Sequence, residues 1–376
     1  MPDVTIEQLF KEMVNNQASD LYLTVGCAPT VRLSDRILAF SVPALTEEDV
    51  DSYIDELLDS DQKDEFETTM EYNTAVNWDD RARFRINVYM QQQKKAIVIR
   101  RIQTDIPSLE DLSLPSLYGD LILMPRGLIL MVGPTGSGKS TSLAAMIGHR
   151  NTYGSGHIIT IEDPIEYVHK HNSCIVSQRD VGIDTYSYGM ALKNALRQRP
   201  DVVLIGEIRD RETMEHAINF AETGHLCLAT LHANNANQAI ERVVNFFPEE
   251  KQKQVLLNLS LNVRAILSQR LITSLSGSKV LAKEIMLNRG LIKNLIEEGK
   301  VKEIKEMIER GRDQGMVTFD QSLFDLVQSG QVDSDLAISE ADNPANLRLM
   351  LKQATTGRTV NREFKAEGAP PQSGDF

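Results

Sequence analysis

Leu128-Ile129-Leu130-Met131-Val132-Gly133-Pro134-Thr135-Gly136-Ser137-Gly138-Lys139-Ser140 is the stretch that decides the fold of this chain. Five apolar residues in a row, stopped by glycine, suit a short strand buried on both faces of a parallel sheet. The eight residues that follow fit G-x-x-x-x-G-K-[ST], a loop whose backbone N–H groups turn inward around a phosphate. Lys139 offers a point charge to the β- and γ-oxygens and Ser140 a hydroxyl to Mg²⁺. Gly133, Pro134, Thr135, Gly136, Ser137, Gly138, Lys139 and Ser140 are therefore expected to hold ATP, with Thr141 near the α-phosphate.

Downstream, the order strand, glycine-rich turn, helix, strand continues, as expected of an α/β domain with a parallel sheet. Core strands are expected at Leu128–Val132, His157–Ile161, Val202–Ile205 and Leu226–Leu231, and a helix around Thr213–Glu222 with Gly224 as its C-cap. Two strands end in acids, ITIEDP with Glu162 and Asp163, and VVLIGE with Glu207. Acids at the carboxyl edge of a parallel sheet stand where ligands bind in this architecture. Hydrolysis needs a water held in line with the γ-phosphate and an acid to orient it. Glu207 is expected to position that water and to reach Mg²⁺ partly through water, beside Ser140. Glu162 is expected to make a second catalytic or Mg²⁺-water contact, with Asp163 behind it. Gly206 stands where an Asp often precedes the Walker B Glu, so metal binding leans on Ser140 and waters. The strand TGHLCLATLHA carries a histidine at each end; His232 could sense the γ-phosphate, and His225 suits a turn.

Ahead of this core, residues 1–103 mix helical spacing (Ile6, Leu9, Phe10, Met13, Val14) with strands at Ser19–Gly26, Arg83–Tyr89 and Lys95–Arg100. Residues 104–122, with Pro107, Pro115 and Gly119, read as a linker. The core is expected over 123–290, and after about residue 250 the pattern reads as helical almost throughout, with Leu256, Leu259, Val263, Ile266 and Leu267 sharing a face. A C-terminal helical region follows over 291–355, and 356–376 reads as a disordered tail.

The whole chain bounds the function classes. Its formal charge of −13 over 376 residues argues against broad binding to nucleic acid or anionic membrane. No apolar run approaches the ~18 residues of a membrane helix, and Leu121–Val132 is broken by Pro125 and Arg126. MPDVTIEQLF lacks the basic and apolar regions of a secretory signal. Cys27, Cys174 and Cys227, without CxxC pairing, suit reduced, structural thiols.

In this order and spacing, GPTGSGKS, ITIEDPIEY, DVVLIGEIRD and TGHLCLATLHA resemble the Walker A loop, Asp box, Gly-Glu Walker B and His box of the secretion ATPase superfamily, which serves type II secretion, type IV secretion and type IV pili. Within it the chain resembles the twitching-motility, or pilus-retraction, branch of the PilT/PilU type over about residues 1–355. ASDLYLTVG and RFRIN…AIVIRRI follow the PAS-like N-terminal domain of that branch, and GMVTFDQSLFDLVQSGQV its C-terminal helices. Gly290-Leu291-Ile292-Lys293-Asn294-Leu295-Ile296 replaces the Ala-Ile-Arg-Asn-Leu-Ile motif of the PilT type. That departure, KEIKEMIERGRDQGMVTFDQ and the tail resemble the accessory PilU type.

The resemblance implies a PAS-like α/β domain followed by a RecA-like P-loop NTPase domain with C-terminal helices. It implies a cytoplasmic homohexamer, peripheral at the inner membrane at the pilus base, that hydrolyses ATP to power or assist retraction. The implied partners are a paralogous retraction ATPase and an inner-membrane pilus platform protein, with neither nucleic acid nor membrane insertion. In the superfamily, arginines of the N-terminal domain close over the nucleotide. Among Arg81, Arg83, Arg85, Arg100 and Arg101, motif position selects Arg85 and Arg100; Arg209 is a further candidate for an inter-subunit contact. Such arginines are worth ~10³–10⁵ in rate in other NTPases. Two alternatives are an accessory ring subunit that binds ATP beside a paralogous motor, and a pilus-assembly or type II secretion-type motor. The latter often carries a four-cysteine zinc module that Cys27, Cys174 and Cys227 do not supply.

Overall fold

The computed structural model describes residues 4–33, 36–78, 82–102 and 104–354. Arg81 and the tail 356–376 lie outside the described residues. Strands run over Asp20–Thr24 (β1), Thr30–Leu33 (β2), Arg36–Ala39 (β3), Glu71–Trp78 (β4), Ala82–Gln91 (β5), Lys94–Ile102 (β6), Gly127–Val132 (β7), Gly156–Glu162 (β8), Cys174–Asp180 (β9), Val202–Ile205 (β10), Leu226–Leu231 (β11), Val263–Thr273 (β12) and Lys279–Leu287 (β13). The chain divides into two compact units, Met1–Leu123 with Ser140–Glu207, and Met124–Lys139 with Ile208–Phe376. The cuts fall after Leu123, between Lys139 and Ser140 in the glycine-rich loop, and after Glu207.

In the first unit an antiparallel sheet has the order β3-β2-β1-β6-β5-β4. β5 alternates: Ala82, Phe84, Ile86 and Val88 are buried, while Arg83, Arg85, Asn87 and Tyr89 face the other way, half-buried. β5 and β6 meet at Gln91 and Lys94. Between them Gln92 (φ 48°) and Gln93 (φ 63°) form the left-handed two-residue turn that suits the strand twist. The helix Ile6–Asn15 begins with a Thr5–Gln8 capping box and buries Ile6, Leu9, Phe10 and Met13. Phe10 stacks on Phe84 with ring centroids 4.1 Å apart.

The same unit holds β10, β8 and β9 side by side, all parallel. The stretch 104–122, expected as a polar linker, contains the helix Leu117–Ile122 and buries Leu109, Leu114, Tyr118, Leu121 and Ile122. Arg150 Nη1 donates to the Ile122 carbonyl at 3.3 Å. The prolines here punctuate a packed segment.

In the second unit the strand order is β13-β12-β7-β11. β7 pairs in parallel with both β11 and β12, and β13 is antiparallel to β12. Helices Arg211–Glu222, Ala236–Asn245 and Glu249–Asn262 precede β12. Leu291–Glu297, Ile304–Arg310, Phe319–Gln328 and Ser334–Glu340 follow β13. The helical reading after residue 250 thus fails over 263–287. Ala265 to Gln269 are buried consecutively, on both faces of the strand, while β7 and β13 pair with its two edges. A strand in that position shows an apolar run with no period of two, and Leu259, Val263, Ile266 and Leu267 imitate a helical stripe.

Candidate active site

The phosphate loop leaves β7 at Gly133 and enters the helix Lys139–Tyr153. A Cβ on Gly133 would lie 2.5 Å from the Gln269 carbonyl oxygen and 2.5 Å from Ser137 Oγ, so no side chain fits there. Gly136 turns with φ 76°, open to L-residues only under strain. Lys139 Nζ folds over the loop and donates to the carbonyls of Gly133 (2.8 Å) and Pro134 (2.9 Å). Ser137 Oγ is buried and has no hydrogen-bond partner among the described residues. A cradle too tight for a Cβ, an ammonium above it and an unspent buried hydroxyl fit a phosphate. Thr141 Oγ1 lies 3.0 Å from the Tyr167 hydroxyl, which fixes its rotamer.

The strand-end acids lie in the first unit. Ile205 on β10 is in register with Ile161 on β8, and the Gly206 N–H donates to the Ile161 carbonyl at 2.8 Å. A Cβ on Gly206 would lie 2.9 Å from Tyr188 Oη and 3.0 Å from Glu162 Cα. An Asp at this place has no room, which is the steric reason for the Gly-Glu form. Glu162 and Glu207 therefore stand at the carboxyl ends of adjacent parallel strands, both half-buried. Glu162 Oε1 accepts from Thr160 Oγ1 (2.7 Å) and Gln178 Nε2 (3.3 Å). Burial pushes its carboxyl up to about 7, against the pull of those two bonds and with a further push from Glu166 and Asp180. A carboxyl that titrates near neutrality suits general-base work. Asp163 is exposed.

Asp180, in register with Glu162, is fully buried. Its Oδ2 accepts from the Ile165 N–H at 3.4 Å, and its Oδ1 has no partner among the described residues. Burial raises its pKa, and the Ile165 bond and the charges of Arg85 and Arg83 oppose the rise. Arg85 and Arg83 of the antiparallel sheet thus bear on the acid beside Glu162. Arg100 is placed differently. It is opposite Arg85 on β5 and opposite Asp20 on β1, and its Nε lies 2.8 Å from Asp20 Oδ1, an acid only 5% exposed. Arg101, paired with Phe84, falls on the alternate face. Arg209 is exposed.

The two histidines separate. His225 Nδ1 lies 3.0 Å from Thr223 Oγ1 and 3.2 Å from the Phe220 carbonyl, and its ring meets Phe220 edge-on. Those contacts make it a turn residue. His232, past the end of β11, opens into a groove of about 460 Å³ with Gln238, Glu241, Arg242, Asn245 and Phe246.

Thr160, Gln178 and Asp180 escaped the sequence reading. Asp180 carried a legible signal, a strand ending in an acid like β8; Thr160 and Gln178 gain meaning only from the strand pairing that aims them at Glu162.

The chain matches the family model described as Type II/IV secretion system protein over residues 68–369. It is 48% identical to the type IV pilus ATPase PilU of Pseudomonas aeruginosa over 92% of this chain and 91% of that protein. It is 39% identical to the type IV pilus retractation ATPase PilT of the same organism, over 91% of this chain and 99% of that protein. Its structure resembles the crystal structure of the pilus retraction motor PilT with bound ADP, with a TM-score of 0.86, 38% identity and coverage of 92% and 99%. Phosphate cradle, strand-end acids and full-length likeness agree: the chain belongs to the type II/IV secretion system protein family, as an ATPase of its type IV pilus branch.

Proposed function

We propose that this chain is a subunit of a homohexameric ring that hydrolyses ATP to power or assist retraction of a type IV pilus, as a PilU-type partner of a paralogous retraction ATPase. The observation that carries this reading is the likeness to PilU along nearly the whole of both chains, 48% identity over 92% and 91%, against 39% to PilT. An inner-membrane platform protein at the pilus base is the proposed object of the work. Among the described residues no helix is long and apolar enough to cross a membrane.

In this reading Gly133 to Thr141 bind the nucleotide, and Lys139 leaves the carbonyls of Gly133 and Pro134 for the β- and γ-oxygens. The Ser140 hydroxyl, with Glu207 through water, would hold Mg²⁺, which neutralises charge on the phosphates when bound. Glu207 orients the attacking water. Glu162, poised near neutrality, takes or relays its proton. Arg85 offers a guanidinium to the charge that develops at the γ-phosphate, and His232 reports on that phosphate.

The test is Glu207→Gln, read in two assays. ATP turnover should fall to background while nucleotide still binds. Cells carrying the variant in place of the natural chain should keep or accumulate pili and lose surface movement. Loss of turnover with normal movement would favour the accessory, ATP-binding role, and absent pili would point to assembly.

A further inference from the structure

Glu284 lies on β13, 2% exposed, outside every nucleotide motif. Its Oε1 accepts from the backbone N–H of Ala236 at 2.7 Å and from Ser268 Oγ on β12 at 3.1 Å. A buried carboxyl on a strand is costly unless its hydrogen bonds are made. Both partners here are fixed: Ser268 is its register neighbour, and Ala236 is the first residue of the helix Ala236–Asn245.

That helix needs such a partner. Its first N–H groups have no intrahelical acceptor. Asn235 as N-cap takes only the Gln238 N–H, at 3.0 Å. Glu284 takes the Ala236 N–H that the cap does not reach, from a strand 48 residues away. Gln238, Glu241, Arg242 and Asn245, which line the His232 groove, project from this one helix, and Phe246, which also lines it, is the C-cap. The helix is thus the wall that His232 faces, and Glu284 fixes its start, four residues past His232.

The neighbours of Ser268 extend the connection. The Gln269 carbonyl closes on the space that a Cβ of Gly133 would need, at 2.5 Å. Arg270 Nη2 reaches the Asn234 carbonyl at 3.5 Å and Asp342 Oδ1 at 2.7 Å. Three consecutive residues of β12 therefore touch the Glu284 anchor, the back of the phosphate loop and the segment after His232.

We infer that Glu284 is a positioning residue for ATP hydrolysis: through the Ala236 N–H it seats the segment from His232 to the first helical turn, in register with the phosphate loop that β12 backs. Glu284 touches no nucleotide itself. The inference rests on reading His232 as a residue that answers to the γ-phosphate.

The test uses the full chain, with His232→Ala, Glu284→Ala, Glu284→Gln and the double variant His232→Ala/Glu284→Ala, measuring kcat and the affinity for a fluorescent ADP analogue. Misplacement of a catalytic element costs on the order of 10-fold or more in kcat, and that loss is expected of His232→Ala and of Glu284→Ala. Glu284→Gln, whose amide oxygen still accepts the Ala236 N–H, should retain most of the rate. ADP affinity should change by less than about twofold. The double variant should be no slower than His232→Ala alone, because Glu284 acts through that segment. A wild-type kcat in Glu284→Ala beside a slow His232→Ala overturns the inference, and so do losses that multiply in the double variant. A wild-type kcat in His232→Ala removes the reading of His232 on which the inference rests. Should Glu284→Ala not fold, Ala236→Pro deletes the same N–H at a position where a helix tolerates proline. Unchanged kcat in that variant is equally fatal.

Discussion

Glu162 concentrates the residue-scale chemistry. Its ordinary value of 4.5 rises to about 7 on burial, so the folded chain binds a proton that the unfolded chain has already released. The stability it lends is full below about 4.5 and is lost as pH rises through about 7. Glu162→Gln should therefore unfold at higher denaturant than the natural chain at pH 8, by up to about 3 kcal/mol, with the gap closing toward pH 4. Denaturant titration at the two pH values decides it, and an equal gap at both would show the carboxyl is not raised. The same substitution should slow ATP turnover. In the natural chain turnover should climb as pH crosses about 7 and Glu162 becomes available as a base.

At the scale of elements, β12 does more than its sequence announces. It lies between β7 and β13, and it carries Ser268, Gln269 and Arg270 to the phosphate loop and the His232 segment. Leu267, fully buried at its centre, should be intolerant of truncation. Leu267→Ala is expected to cost about 2–5 kcal/mol in equilibrium unfolding, where an exposed helical residue would cost a small fraction of that. The pilus-branch segment Gly290 to Ile296 behaves as its apolar residues require: Ile292, Leu295 and Ile296 are buried, and Lys293 is exposed. β1, β5, β6, β7, β8, β10 and β11 were legible, because each is a short apolar or alternating run stopped by turn residues. β12 and β13 were not, since runs buried on both faces, Ala265 to Gln269 and Glu284 to Leu287, lose the alternation that marks strands.

At the scale of the molecule, the work proposed for a ring depends on arginines outside the phosphate-binding unit. Arg85 and Arg100 read alike in sequence, yet Arg100 is committed to Asp20 while Arg85 bears on Asp180. Arg85→Ala is expected to slow turnover in assembled rings by up to ~10³ with little change in melting temperature. Arg100→Ala should instead lower the melting temperature, because Asp20 keeps a buried charge with one partner fewer. Unchanged turnover in both variants would remove arginine from the mechanism. The sequence by itself determined the parallel α/β core, the phosphate loop and the acids Glu162 and Glu207, because strands, tight glycine turns and strand-end charges are local patterns. Only the tertiary structure decided that Gly206 excludes an aspartate, that Asp180 stands opposite Glu162, and that Glu284 holds the helix after His232. Each of these follows from strand register and burial, which bring together residues that no spacing along the chain relates.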